Sequence, residues 1–386
     1  MQINGTTEVT FTPDSSGLWR LQTYDNGNSD PYLVLMDSDH IYIDDDDDGG
    51  EGYNSMLCAY LDEGTTYIIE AGFYGDGTGS FTLNAKLSEY IPRSGGSVHA
   101  TGADVLAFTP DRTGVWDIRA SGSVSELPFL SVYSSGTQEQ FYRGYNESGD
   151  TVVHAMLYKD FLYVVQIEYY HSVGECTINV AFEHEVETLS SDTALPAEGG
   201  MFVVDAPSTF TFAPDRGGYW SIYTSDNLLC DPYLELYDND GNLIMYDDDG
   251  GDRYNARLFV YLDSGEPCTI AAMCYDNAVG TYVLNLEVVP EMPSAGGVIQ
   301  VLGNTTFAFV PNRSGMWEFE TSDCGEYDPF LHIYDIHGDM IGYDDDGGEG
   351  YNALLSVYLD SGEVYIIDAI ALGTTQGTYT LTVTGS

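Results

Sequence analysis

Four tryptophans, Trp19, Trp116, Trp220 and Trp317, recur along the chain at spacings of 97, 104 and 97 residues. Each closes a similar phrase: TPDSSGLW, TPDRTGVW, APDRGGYW and VPNRSGMW. The first phrase aligns with the third without a gap, so that Asp30, Asn54 and Gly79 fall on Asp231, Asn255 and Gly280. The third aligns with the fourth in the same way, carrying Asp231, Asn255 and Gly280 onto Asp328, Asn352 and Gly377. A unit of this length can bury a core of its own, so the copies are beads and not turns of a solenoid. The expected domains are residues 1–90, 91–194, 195–291 and 292–386. Gly95-Gly96, Gly199-Gly200 and Gly296-Gly297 open the last three copies, each after a proline-bearing stretch (EYIPRS, TALPAE, PEMPSA). Proline stiffens such joints, which predicts a semi-rigid rod. The first copy lacks its Gly-Gly pair, as a cut or processed chain would, and its start has no basic-then-apolar leader.

Within each copy the apolar residues alternate. Val9 and Phe11, Phe210 and Phe212, Trp220 and Ile222, Leu234 and Leu236, then Leu258, Val260 and Leu262 all keep a period of two. Alternation between Gly, Asp and Pro clusters means half-buried antiparallel strands. Asp240-Gly241 is a tight-hairpin signal. No segment keeps helical spacing. The expected fold is all-β: four tandem β-sandwich, jelly-roll-like domains.

The acids carry the chemistry. The chain has 62 Asp and Glu against 11 Lys and Arg, a formal charge of −51. Such a field repels a phosphate backbone and an anionic membrane, so no nucleic-acid partner is expected. No apolar run is long enough for a membrane span. In copies one, three and four the acids fall in register. One Asp precedes Pro (Asp30, Asp231, Asp328), one ends the next strand (Asp37, Asp238, Asp335), and a triplet precedes Gly-Gly. The first and last triplet members are Asp46 and Asp48, Asp247 and Asp249, Asp344 and Asp346; a Tyr-Asn pair follows, ending in Asn54, Asn255 and Asn352. Carboxylates gathered this closely repel one another unless a cation sits among them. An oxygen-only set suits Ca²⁺, with three sites expected, and the first and last triplet members are expected to turn toward the ion. The middle member is expected to point the other way. Gly241 is misplaced for an EF-hand loop, and no His or Cys accompanies the acids as zinc would require. Copy two is an internal control: Leu127, Ser134 and the run Tyr142, Arg143, Gly144 replace all three acidic elements, so no site is expected there.

The phrase DPYLELYDNDGNLIMYDDDGG, followed by the Tyr-Asn strand and a Gly-Thr-Tyr strand, resembles the bacterial pre-peptidase C-terminal domain. The likeness covers all four copies in outline and is closest in the third and fourth. It implies a calcium-binding jelly-roll-like module of exported proteins, with ligands at Asp231, Asp247, Asp249 and their counterparts.

Nothing in the sequence points to an enzyme. The seven histidines share no repeat position, and HExxH, GxSxG and P-loop signatures are absent. No catalytic residue is assigned. Cys58 and Cys268 align with Phe259 and Tyr67, positions expected to face the core; Cys230 and Cys274 lie in loops of one copy, where pairing is one possibility. The expected function is a non-catalytic, calcium-stabilised structural protein of a bacterial cell surface, fibre or matrix; self-assembly into fibres is one possibility, which the sequence does not decide. The alternatives are an adhesion module for glycan or protein, read from the 31 tyrosines, and the accessory C-terminal region of a secreted hydrolase.

Overall fold

The computed structural model describes all residues except 51, 75–78, 123–126, 136–139, 148, 170–173, 229, 252–253, 326–327, 373–377 and 386. The described chain is almost entirely strand, with one 3₁₀ turn at Tyr275–Asn277. It divides into two compact units, Met1–Glu185 and Val186–Ser386. Each unit holds two copies of the repeat, and each copy is a pair of mainly antiparallel sheets closed over its own core.

Copy one shows how the chain is wound. Its eight strands are Gln2–Asn4, Thr7–Phe11, Gly17–Tyr24, Pro31–Asp37, Tyr42–Asp46, Met56–Leu61, Tyr67–Phe73 and Ser80–Leu87. First pairs with eighth, second with seventh, third with sixth and fourth with fifth. That is one long hairpin. Rolling it brings third beside eighth and fourth beside seventh, which closes two four-stranded sheets. This winding is the jelly roll. Copies three and four repeat it: in copy three Gly218–Leu228 lies between Gly280–Val288 and Arg257–Leu262.

The tryptophan anchors each core because it stands on a central strand and faces inward. Phe11, Phe108, Phe212 and Phe309 meet Trp19, Trp116, Trp220 and Trp317 edge-on, in every case with centroids 5.0 Å apart. Such a pair adds about 1 kcal/mol to simple area burial. The Gly-Gly joints are fixed by the same ring. A Cβ on Gly199 would lie 2.4 Å from the Leu286 carbonyl oxygen and 2.9 Å from Trp220, at a φ of +79° that only glycine adopts freely. The proline-bearing stretches join the sheets that follow them. Glu89–Ile91 runs parallel to Asp104–Phe108, and Thr193–Ala194 runs parallel to Ser208–Phe212.

One expectation is corrected. Cys58 and Phe259 do not face their own cores. Cys58 Sγ lies 3.1 Å from Tyr133 Oη, inside a cluster of Leu18 and Met56 from copy one with Val105, Ala107 and Val164 from copy two. Phe259 and Val289 likewise pack on Ala308 and Ile366 of copy four. The sheet is covered on both faces, so residues of both parities are apolar and the period of two no longer identifies the core. Cys268, by contrast, is in the core as expected.

Both interfaces include an ion pair that leaves little charge in water. Arg20 meets Asp104 at 2.5 Å in the first unit. In the second, Arg257 holds Asp368 through two bonds of 2.9 and 3.1 Å and donates a third to Thr306 Oγ1 at 2.9 Å. Asp368 is buried, so removing only its partner strands a charge. Arg257→Met should destabilise the second unit by about 3 kcal/mol. Arg257→Met with Asp368→Leu should recover most of that loss in denaturant unfolding. A double variant as unstable as the single would disprove this account of the pair.

Candidate metal centre

The site is built by strand register. Leu33 pairs with Asp46, Leu234 with Asp247 and Leu331 with Asp344, the same register in three copies. Continuing it by two residues carries Asp48, Asp249 and Asp346 back to the start of the partner strand. There Asp30, Asp231 and Asp328 stand. The charges feel one another. Burial, then the Asp30 charge, raises the Asp48 pKa; burial, then Asp249, Asp248 and Asp276, raises Asp231; burial, then Asp328, raises Asp346. Asp248 adds to the field at Asp231, so the middle member of that triplet is less remote than strand alternation predicts.

Among the described residues, Oδ1 of Asp30, of Asp231 and of Asp328 is buried and accepts no hydrogen bond. A carboxylate oxygen shut from water and left unpaired costs several kcal/mol. The same atom is in that state three times, beside a second carboxylate each time, and such an oxygen-only set could hold a hard cation.

The other predicted ligands have different work. Asp46 Oδ2 accepts the amides of Gly49 at 2.8 Å and Met56 at 2.7 Å. Asp247 takes those of Gly250 and Arg257, both at 2.8 Å; Asp344 takes those of Gly347 at 2.9 Å and Leu354 at 2.7 Å. The first triplet member therefore shapes the loop that presents the last. The two glycines are required by contact. A Cβ on Gly250 would lie 2.7 Å from Asp247 Oδ2, and one on Gly251 would lie 2.6 Å from the Asn255 carbonyl oxygen.

Asn54, Asn255 and Asn352 close the loop from the far side. Their carbonyls accept from Gly50, Gly251 and Gly348, and their side-chain oxygens accept from Thr23, Thr224 and Thr321. Those threonines escaped notice in the sequence, although they share one repeat column and copy two has Ala120 there. Asp276, which adds to the field at Asp231, was also missed, because its loop has no counterpart in the acidic phrase.

Asp37, Asp238 and Asp335 do not join the cluster, and this corrects their assignment as co-ligands. Each lies at the opposite end of the strand that begins beside Asp30, Asp231 or Asp328, about 20 Å away at about 3.3 Å per residue. Asp238 Oδ1 accepts the amides of Asp240 and Asn242 at 2.9 and 2.8 Å, which organises the hairpin. Asp37 and Asp335 make the same pair of bonds. Copy two carries none of this: Leu127 stands before Pro128, Ser134 is buried, and Arg143 lies close enough to lower the burial-raised pKa of Glu168.

Cys230 and Cys274 form a disulfide, with Cα atoms 5.9 Å apart. It ties the residue before Asp231 to the residue before Tyr275, whose amide donates to the Asp231 carbonyl at 2.7 Å.

No family model matches the chain, and no curated protein does. Among solved structures it is similar to tripeptidyl peptidase 2, with 8% identity and a TM-score of 0.24 over 100% of this chain and 34% of that one. It is also similar to a protein of Sulfolobus turreted icosahedral virus (12% identity, TM-score 0.17, 80% of this chain and 87% of that one). The chain spans about a third of the length of the peptidase it resembles. Among the described residues no helix is long and apolar enough to cross a membrane.

Two outcomes follow for the metal-free protein. Burial pushes Asp46 up to about 6 and raises Asp247, while an unfolded carboxyl titrates near about 4. The folded chain then holds more protons than the unfolded chain between those values, so stability should fall as pH rises from about 4 to about 6. Thermal unfolding in chelator measures this, and a rise in Tm over that window would contradict it. Gly250→Ala should lower the stability of copy three by about 1–3 kcal/mol, because the loop must open to admit the methyl group; wild-type unfolding of that variant would show the loop is looser than described.

Proposed function

We propose that the chain is a non-catalytic structural protein whose β-sandwiches are stabilised by calcium at three equivalent loops, in copies one, three and four. The observation that supports this most is the unpaired, buried Oδ1 of Asp30, Asp231 and Asp328, each next to Asp48, Asp249 or Asp346. These pairs, with Asp46, Asp247 and Asp344 behind them, offer hard oxygens on flexible loops, which suits Ca²⁺ better than Mg²⁺. Bound calcium removes the carboxylate repulsion and adds stability by linkage. Extracellular fluid supplies calcium, and the Cys230–Cys274 disulfide suits an oxidising compartment, so a bacterial cell surface, fibre or matrix is the proposed location. Paired sandwiches locked by Arg20–Asp104 and Arg257–Asp368 suit a load-bearing part, with self-assembly as a further proposed property.

A second reading, adhesion to a glycan or protein, has one specific support. Tyr53, Tyr254 and Tyr351 are 64%, 65% and 67% exposed, occupy one repeat column beside the acidic loop, and are replaced by Gly149 in copy two. A bare ring that accompanies the site and serves no core suits stacking on a sugar or a partner.

Calcium titration by calorimetry should give three equivalents per chain. Asp231→Asn should remove one of them and leave metal-free stability unchanged or higher, since it relieves repulsion. Calcium binding of unaltered stoichiometry in that variant would refute the assignment. Sedimentation in calcium and in chelator separates the readings: large species only in calcium favour the structural one, and a monomer in both favours adhesion.

A further inference from the structure

Copy two, which lacks the acidic loop, has a different cluster on the outer face of one sheet. Asp117 lies on Gly114–Ser121, the strand that carries Trp116. His154 is its direct cross-strand partner on Asp150–Leu157. On the other side, Trp116 pairs with Phe182 but Val115 pairs with His184. That shift is a bulge, and the extra residue is Glu183. Phe182 turns inward onto the Trp116 ring at 5.2 Å, so its neighbour Glu183 turns outward. Three strands thus bring one imidazole nitrogen and two carboxylate oxygens to one place. The three atoms lie within 4.8 Å of one another, and His154 Nδ1 is 3.2 Å from Glu183 Oε1 and 3.9 Å from Asp117 Oδ2.

We propose that Asp117, His154 and Glu183 form a binding site for a divalent transition ion of the zinc class. Arg119 is bonded to Asp117 Oδ2 at 3.1 Å and lies 3.7 Å from Asp150 Oδ2. It can pass to Asp150 when a metal takes Asp117. One nitrogen and two oxygens suit Zn²⁺, which binds imidazole and carboxylate at about 2 Å and tolerates water in the remaining position. Ca²⁺ would want more oxygens than this face offers. The three side chains are 15–35% exposed, open enough for an ion to enter and buried enough to hold their rotamers. Other copies do not reproduce the set: Arg20, Ser221 and Glu318 stand at the Asp117 column, and Cys58, Phe259 and Ser356 at the His154 column. In copies one and three this face is instead packed against the following copy.

The test is calorimetric titration of the full chain with Zn²⁺ in saturating calcium, which occupies the oxygen-only loops. One saturable equivalent is expected in wild type. His154→Ala should weaken it by more than about tenfold, as should Glu183→Gln, which keeps shape and partial exposure and so retains the fold. Absence of saturable Zn²⁺ binding, or wild-type affinity in Glu183→Gln, would overturn the proposal.

Discussion

One carboxylate oxygen that accepts two backbone amides sets the geometry of each acidic loop. Asp247 Oδ2 joins Gly250, three residues on, to Arg257, ten residues on. That bond pair turns the chain sharply enough to need two glycines, and it fixes where Asp249 sits relative to Asp231. Each such bond involves a charged acceptor and contributes about 1.5–3 kcal/mol. The repulsion among Asp231, Asp248 and Asp249 opposes it. The loop is therefore a sprung arrangement: hydrogen bonds hold the acids together and their charges push them apart. Under the calcium proposal a bound cation would relieve the conflict, with Asp231 and Asp249 as ligands and Asp247 as scaffold.

The same economy governs how copies join. A rolled hairpin leaves two outer sheet faces, and copies one and three cover one of theirs with the copy that follows. The covering is not a simple repeat. Arg20 and Arg257 stand in different columns, as do Asp104 and Asp368, yet both interfaces contain one arginine and one aspartate among apolar side chains. In a chain with 11 basic residues, placing two of them in these contacts concentrates scarce positive charge where it does most to offset the field. The apolar part supplies attraction, and each ion pair keeps its half-buried charges compensated inside the contact.

The winding and the cores were legible because alternation and the Phe–Trp phrase are local signals. Phe212 and Trp220 announce a core by themselves, and the Asp-Gly turn announces the hairpin beside them. The site was half legible. Residues that recur together were found, but recurrence does not distinguish a ligand from a scaffold. Asp37 and Asp48 recur equally well; only register shows that one ends the strand far from Asp30 and the other returns to it. Thr224 was overlooked because a threonine in a strand is unremarkable until its hydroxyl is seen between Asn255 and the Ala256 amide. Cys58 was misplaced because a sheet covered on both faces gives no alternation to read.

Copy two turns these distinctions into a physical argument. It keeps the Trp116 core and the rolled hairpin, so the acidic loop is not needed for the fold. It lacks the aspartate before proline, the triplet, the threonine and the exposed tyrosine together. Copy two has Asp150 in the Asn255 column, so the threonine goes with the asparagine side chain to which its hydroxyl donates. The threonine, the asparagine and the first triplet carboxylate are thus parts of one hydrogen-bonded loop, which is present or absent as a whole. The sheet beneath forms in copy two without that loop, so the loop is not a requirement of the fold, and the calcium proposal is what would give it a use.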